Sequence, residues 1–292
     1  MIGTFLFVSL SPSLSNNLRM APKCKSAPSW NLLHFGASSS DPIVSVRFHD
    51  DKAYQDFSEN FSKCGIHSER HVILSDFSNT ILPNVIHRRG WESFCGIPVS
   101  CLSVIIHEFY SNMHGFDYSI SHFTTHLRGI RILVTPDLIS KVLHVLKVEF
   151  PDYPGCLCLR TVSKHEFLSF FCKTSSSWGD PQNTSCSGFA KGSRFLNMVM
   201  TFVLHPLSHY NSITEPRAHF LLSLIEDLTI DFPSHFILSL IDVYRDTATC
   251  DKLIFLSAIT RIICHSFVPY LEFAHFTIMG AISAASIWQS EA

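Results

Sequence analysis

His205 and His209 stand four residues apart in "LHPLSHYNSITEP", the separation at which two imidazoles on one helix turn face the same way and can grip a metal. Pro206 lies between them, and a proline inside a helix removes a backbone hydrogen bond and clashes with the preceding turn. One regular helix therefore does not present both rings. Cys264 and His265 complete the residue types of a four-ligand zinc set, but with 17 histidines and ten cysteines in 292 residues such sets arise by chance. No metal ligand is expected among them. A second chemistry is carboxylate-based: Asp76 ends the apolar run "HVILSD", and Glu226 or Asp227 is the conceivable partner in a paired-metal nuclease or recombinase. Such a site needs adjacent strands to hold its acids together, whereas Glu226 and Asp227 follow a helical pattern. Asp76 at a strand end is an ordinary cap or turn former.

A third chemistry is contact with phosphate. Arg88 and Arg89 in "HRRGW", and Arg128 and Arg131 on either side of a turn, are the ordered basic points; Arg19, Lys23 and Lys25 add charge near the start. Two arginines beside an aromatic ring can touch phosphate and stack on a base, but they also occur as solvated turns. Trp91 after the Arg-Arg-Gly turn is expected as a core anchor. His107-Glu108 and His165-Glu166 begin an H-E-x-x-H motif without finishing it, and no phosphate-binding glycine loop, dinucleotide fingerprint or G-x-S-x-G elbow occurs. Catalytic residues and a cofactor are accordingly not assigned.

The elements that would carry these residues follow from apolar spacing. Ala53, Phe57 and Phe61 predict a helix opening on acids, and "HVILSDF" predicts a short extended run. Val99, Leu102, Ile106, Phe109 and Met113, with Pro98 at the start and Gly115 beyond the end, predict a helix. The period then changes: Phe123, Thr125 and Leu127 alternate before Arg128-Gly129, and Ile130, Ile132 and Val134 after it, predicting a hairpin over 121–135. Thr135-Pro136-Asp137 predicts a helix start, with Leu138, Val142, Val145 and Leu146 packing on the hairpin. "KHEFLSFFCK" predicts another short helix. Four helical segments follow: "SRFLNMVMTFVL"; "EPRAHFLLSLIEDL", capped by Thr214; "HFILSLIDVY", opened by Pro233-Ser234; and "KLIFLSAITRIIC", opened by Asp251. An apolar, alanine-rich piece, "FTIMGAISAASIW", runs nearly to the end.

The expected fold class is mainly α (α+β), helical lobes with one small hairpin. Residues 1–42, basic and rich in Ser, Pro and Asn, are expected to be a flexible tail; 43–173 form an N-terminal lobe with the hairpin, 174–190 a linker, and 191–292 a C-terminal helical lobe. Apolar residues make up 46% of the chain and charged ones 16%, against a usual charged share of about 25%, so the chain is expected to fold. With 22 basic and 24 acidic residues the overall charge gives no electrostatic argument for binding nucleic acid. Scattered cysteines with no C-x-x-C read as reduced thiols in an intracellular protein. The opening apolar run lacks a basic flank and a cleavage site, and no uninterrupted apolar stretch is long enough to span a bilayer. The expected location is nuclear or cytoplasmic, with neither secretion nor a membrane.

The ordered segments "HVILSDF", "RRGWESF", "IIHEFYSNM", "THLRGIRILVTPDLISKVL", "FVLHPLSHYNSITEPRAHFLLSLIEDLTIDFP" and "TIMGAISAASI" resemble the plant transposon protein domain family, found in open reading frames of plant retrotransposons, over roughly residues 45–290. The resemblance implies that Met20 is the usual start, making residues 1–19 an extension of the gene. It also implies a polar tail beyond Ala292, so that the chain reads as a fragment. It implies no enzymatic activity and no catalytic residues to carry over. The resulting expectation is a non-catalytic structural or interaction protein derived from a retrotransposon, capsid-like or associated with nucleic acid through Arg88, Arg89, Arg128 and Arg131. Self-association or nucleic acid is the expected partner, and no small-molecule substrate is implied. The alternatives are the Asp76-centred metal enzyme and a decayed copy without function.

Overall fold

A computed structural model describes residues 46–99, 103–156, 159, 161–172, 178, 183–206, 211–246, 252–269, 280–283 and 285–288. The helix predicted from Ala53, Phe57 and Phe61 is α1 (Asp51–Glu59); the Asp50 carboxylate accepts from the Ala53 N–H at 2.7 Å and so satisfies one of the donors a helix start leaves open. After it come a short strand β1 (Gly65–Ile66) and two helices, α2 (Leu82–Arg88) and α3 (Glu92–Cys95). "HVILSDF" is not a strand: Val72 makes one isolated bridge with Ile282, and Leu74–Phe77 turn into a 3₁₀ helix. The apolar run buries Val72 and Phe77 while Asp76 is exposed.

Helix α4 (Ser103–Ser111) is shorter than predicted; Ile106, Phe109 and Met113 are buried as expected, Val99 is exposed, and Leu102 lies outside the described residues. A strand unforeseen in the sequence, β2 (His114–Asp117), pairs antiparallel with β3 (His122–Leu127), which pairs in turn with β4 (Ile130–Val134). The hairpin is thus two strands of a three-stranded sheet, with β3 in the centre and β4 at one edge. Its register sets Phe123 opposite Val134, His126 opposite Arg131 and Leu127 opposite Ile130. Arg128 (φ 50°) and Gly129 (φ 82°) both take the left-handed conformation that suits a two-residue turn to the twist of its strands. In α5 (Pro136–Leu143) Thr135 accepts from the Leu138 N–H at 3.2 Å, and the helix stops at His144, whose φ is 57°. Leu146, expected to pack, is 64% exposed.

Helix α6 (Lys164–Phe171) carries a complete capping box between Ser163 and Glu166. Strands β5 (Asn183–Ser185) and β6 (Ser212–Thr214) pair antiparallel, so part of the expected 174–190 linker is a sheet edge. Helix α7 (Lys191–Val199) continues as a π turn, Met200–Leu204; α8 (Glu215–Ile225) and α9 (Phe232–Arg245) follow, each with proline in its first turn. "KLIFLSAITRIIC" divides: Lys252–Leu253 form β7, parallel to β1, and α10 starts only at Leu256 and ends at His265. A last turn, α11, covers Ala285–Trp288.

The molecule is helix-rich with small sheets. Buried side chains from Phe61 to Ile282 join in one cluster, with Trp91 (1% exposed) inside it, so residues on both sides of 174–190 share an apolar interior. Helix α5 packs against both α9 and α10. Phe48, Ala53 and Phe57 form a separate small cluster that attaches α1. Cys64, Cys95, Cys172, Cys186 and Cys264 form no disulfide, as expected, whereas Cys156 is disulfide-bonded.

Candidate functional site

Where α4 ends and β2 begins, the chain turns through "SNMHG", and Asn112 at that corner is fully buried. A buried amide must find partners for its two acceptor sites and two donors or cost free energy. Asn112 finds them in two segments, the stretch before α1 and α4 itself. Its Nδ2 donates to the carbonyls of Arg47 (2.9 Å) and Glu108 (2.8 Å), and its Oδ1 accepts from the His49 N–H at 2.9 Å and meets His49 Nδ1 at 3.2 Å. The Asn112 carbonyl in turn accepts from His114 Nδ1 at 3.0 Å. One residue thereby orients two imidazoles, His49 through its side-chain amide and His114 through its backbone carbonyl.

His126 is the third. It lies two residues beyond Thr124, the partner of His114 across the β2/β3 pair, and so shares a face with it, since side chains alternate along a strand. The three rings stack: centroids of His49 and His114 are 4.2 Å apart, His114 and His126 5.1 Å, His49 and His126 5.4 Å, with interplanar angles of 12–23°. Each offers a nitrogen within 4.8 Å of the other two; among the described residues this is the one set of three histidines, cysteines or acids so close. A carboxylate stands beside them, because Asp50 uses one oxygen to cap α1 and holds the other, Oδ2, 3.0 Å from His49 Nε2. His126 Nδ1 is buried with no hydrogen-bond partner. Burial, then His114, His49 and Arg131, lower the His126 pKa, partly opposed by Asp50, so this ring is neutral at neutral pH.

Beneath the histidines sits Glu108, a carboxylate with no exposed side-chain surface, held by two arginines. Arg47 reaches it at 2.8 Å from the segment before α1, and Arg128 at 3.1 and 3.3 Å from the hairpin turn. A buried charge persists only when paired and hydrogen-bonded, and this triad ties the segment before α1 and α4, which Asn112 also joins, to the hairpin turn. Arg128, expected to face solvent as a phosphate contact, is therefore turned inward, 24% exposed. Arg131 is exposed.

The other expected basic pair is also engaged. Arg88 and Arg89 both pair with Asp227, and Arg89 donates to the carbonyls of Leu228 (2.9 Å) and Ser223 (3.4 Å) with its guanidinium over the Trp91 ring. Asp227 thus clamps α2 to the end of α8, and Glu226 beside it is exposed. Neither joins Asp76 in a metal-bridging group among the described residues. His209 lies outside the described residues. His205 is interior: its Nδ1 meets His235 Nε2 at 3.1 Å, and the His235 ring stacks on Phe220 at 4.6 Å. Burial, then His235 and Arg217, push the His205 pKa well down, and burial brings His235 to about 4. Cys264 is partly buried and His265 exposed. A small cavity lined by Glu69, Phe202, Ser257 and Arg261 has room for about one water, some 10 Å³. Burial raises Glu69 to about 7 against the pull of the Ser257 N–H and Arg261.

The histidine cluster was not found from the sequence, because positions 49, 114 and 126 have none of the short spacings that mark metal motifs. The available signal was weak: His114 lies where the predicted helix ends beside Gly115, and His126 falls on the predicted hairpin. No helix of the described residues is long and apolar enough to cross a membrane.

No curated protein and no solved structure matches the chain. Residues 87–269 match the plant retrotransposon-related domain, more than half of the sequence and most of α2 to α10. The chain therefore belongs to the plant retrotransposon-related domain family.

Proposed function

We propose that this chain is a non-catalytic structural and interaction domain of a plant retrotransposon, intracellular, acting through self-association, with nucleic acid as its second class of partner. One observation carries the reading: charged groups that could do chemistry are spent on one another. Glu108 is neutralised by Arg47 and Arg128, and Asp227 by Arg88 and Arg89, each set fastening separate segments. Large apolar side chains, by contrast, are left outside: Phe267 is 88% exposed, Phe150 85%, Ile97 73% and Leu146 64%. Exposed apolar surface is where association gains free energy. The Asp76 enzyme is the lesser reading, since Asp76 sits exposed on a 3₁₀ turn. Size exclusion with light scattering, with and without RNA at two salt concentrations, tests the proposal. A concentration-dependent oligomer is expected, and any RNA complex should weaken steeply with salt. A monomer that ignores RNA overturns it, and a chain that fails to unfold cooperatively supports the decayed copy.

A further inference from the structure

We propose that His49, His114, His126 and Asp50 form a binding site for one divalent metal ion of the zinc class, which pins the segment leading into α1 to the three-stranded sheet. The inference does not depend on the interaction role above.

Three features of the cluster converge on a cation. First, both nitrogens of His49 face oxygens that accept: Asn112 Oδ1 at 3.2 Å and Asp50 Oδ2 at 3.0 Å. A neutral imidazole carries one N–H and can satisfy only one of them. With the proton on Nδ1 for Asn112, Nε2 and the carboxylate present two lone pairs to each other, an arrangement that a cation between them resolves. Second, His114 has the same polarity: Nδ1–H is committed to the Asn112 carbonyl at 3.0 Å, leaving Nε2 as the donor. Metal-bound histidines almost always give their other N–H to a carbonyl or carboxylate in this way, which fixes the tautomer. Third, His126 supplies a ring with an unmet need, its Nδ1 buried and without a partner.

Three clustered imidazoles suit zinc, and Asp50, whose Oδ2 lies 3.0 Å from His49 Nε2 but outside the group of three mutually close ligand atoms, is the carboxylate that a turn of its side chain would bring in as the fourth. Zinc–nitrogen bonds of about 2.0–2.1 Å place tetrahedral ligands roughly 3.3 Å apart, and the three nitrogens already lie within 4.8 Å. Closure requires the stacked rings to tilt and approach by about an ångström, a change of side-chain torsions. The ligands come from the segment before α1, the start of β2 and the end of β3. The first of these is attached by a small satellite cluster, Phe48, Ala53 and Phe57, and by Arg47, so a metal bond there adds most where packing adds least. The cost is charge: Arg131 stands opposite His126, and Asp50 offsets it.

The test uses the full chain, stripped with chelator and titrated with Co²⁺ as a spectroscopic probe and then with Zn²⁺. Expected are one ion per chain, a visible four-coordinate Co²⁺ spectrum that zinc abolishes, and a rise in Tm of about 5 °C at a hundredfold excess over Kd. His49→Gln, His114→Gln and His126→Gln each weaken binding at least tenfold; Asp50→Asn weakens it less, and His265→Gln leaves it unchanged. Should a variant fail to fold, mapping on the parent protein decides. Zinc must then protect His49, His114 and His126, and not His235 or His265, from diethyl pyrocarbonate. No bound metal, binding that survives the three histidine variants, or protection mapping to other histidines overturns the proposal.

Discussion

Two groups of histidines in this protein have opposite fates. His205 and His235 lie inside the helical half, one ring against the other and His235 flat on Phe220, and burial holds both below the usual imidazole range. His49, His114 and His126 lie where three segments meet at a sheet edge, partly exposed, with Asn112 and Asp50 orienting two of them. The residue types are the same, so the type does not decide the role. What differs is the company: among the described residues the polar partner recorded for each ring of the first pair is the other ring, packed among aromatics, whereas Asn112 and Asp50 hold two rings of the second group beside a third.

The largest effect that separates them is on acidification. An unfolded chain protonates its histidines below about 6.5, while folded His235 resists protonation until about 4. The unfolded state therefore takes up the proton first, so the stability that the neutral ring confers is complete above about 6.5 and drains away as pH falls toward 4. At about 1.4 kcal/mol per pKa unit the loss is of order 3 kcal/mol from this ring. Urea unfolding of the parent and of His235→Gln at pH 7 and pH 4.5 measures it, the parent losing more. Glu69, raised to about 7, acts with the opposite pH sense, but it is present in both proteins and drops out of the difference. If both lose equally, His235 is not the buried neutral base that the comparison requires.

A smaller effect lies under the second group. Glu108→Gln leaves Arg47 and Arg128 without their shared countercharge, and removing one partner of a fully buried pair costs about 3–5 kcal/mol. Since Arg47 is 31% and Arg128 24% exposed, water recovers part of that, and about 2 kcal/mol is expected in urea unfolding at pH 7. A neutral outcome would mean that this corner is held by Asn112 alone.

The asymmetry between the two groups also explains what was legible beforehand. Helices α1, α5, α6, α8 and α9 were readable because apolar spacing and first-turn signals are local; Thr135-Pro136-Asp137 names a helix start within three residues. The hairpin was readable from alternation around Arg128-Gly129. Strands β2 and β7 were not, because His114–Asp117 is half-polar and Lys252–Leu253 is two residues long, and each exists only through a partner elsewhere in the chain. Pro206 showed that one helix does not present both His205 and His209, but not the pairing of His205 with His235; the cluster at 49, 114 and 126 was invisible because its separations, 65 and 12 residues, reflect the fold and not a motif. The arginines were read as free charges because sequence shows a charge but not its partner, and Asp227 stands 139 residues from Arg88.

The third prediction sharpens the contrast within the histidines. His126→Gln sits on a partly exposed strand face and removes a ring whose Nδ1 has no partner, so with metal stripped away it should change stability by less than about 1 kcal/mol. The same substitution at His235, whose ring stacks on Phe220 and meets His205, should cost visibly more in the same assay.

The smallest expected effect concerns Arg131, the exposed member of the four arginines expected to meet phosphate that has no recorded carboxylate partner among the described residues. Its side chain leaves β4 on the sheet face that His126 shares, so Arg131→Ser should leave stability within about 0.5 kcal/mol of the parent. If the domain contacts nucleic acid through this face, the same change should weaken RNA binding alike across sequences and lower the slope of log K against log salt by about one phosphate contact. Arg128→Ser should then act differently, losing stability through Glu108 while moving the salt slope little. Equal slopes for both variants would place the contact elsewhere and leave the sheet edge to the histidines.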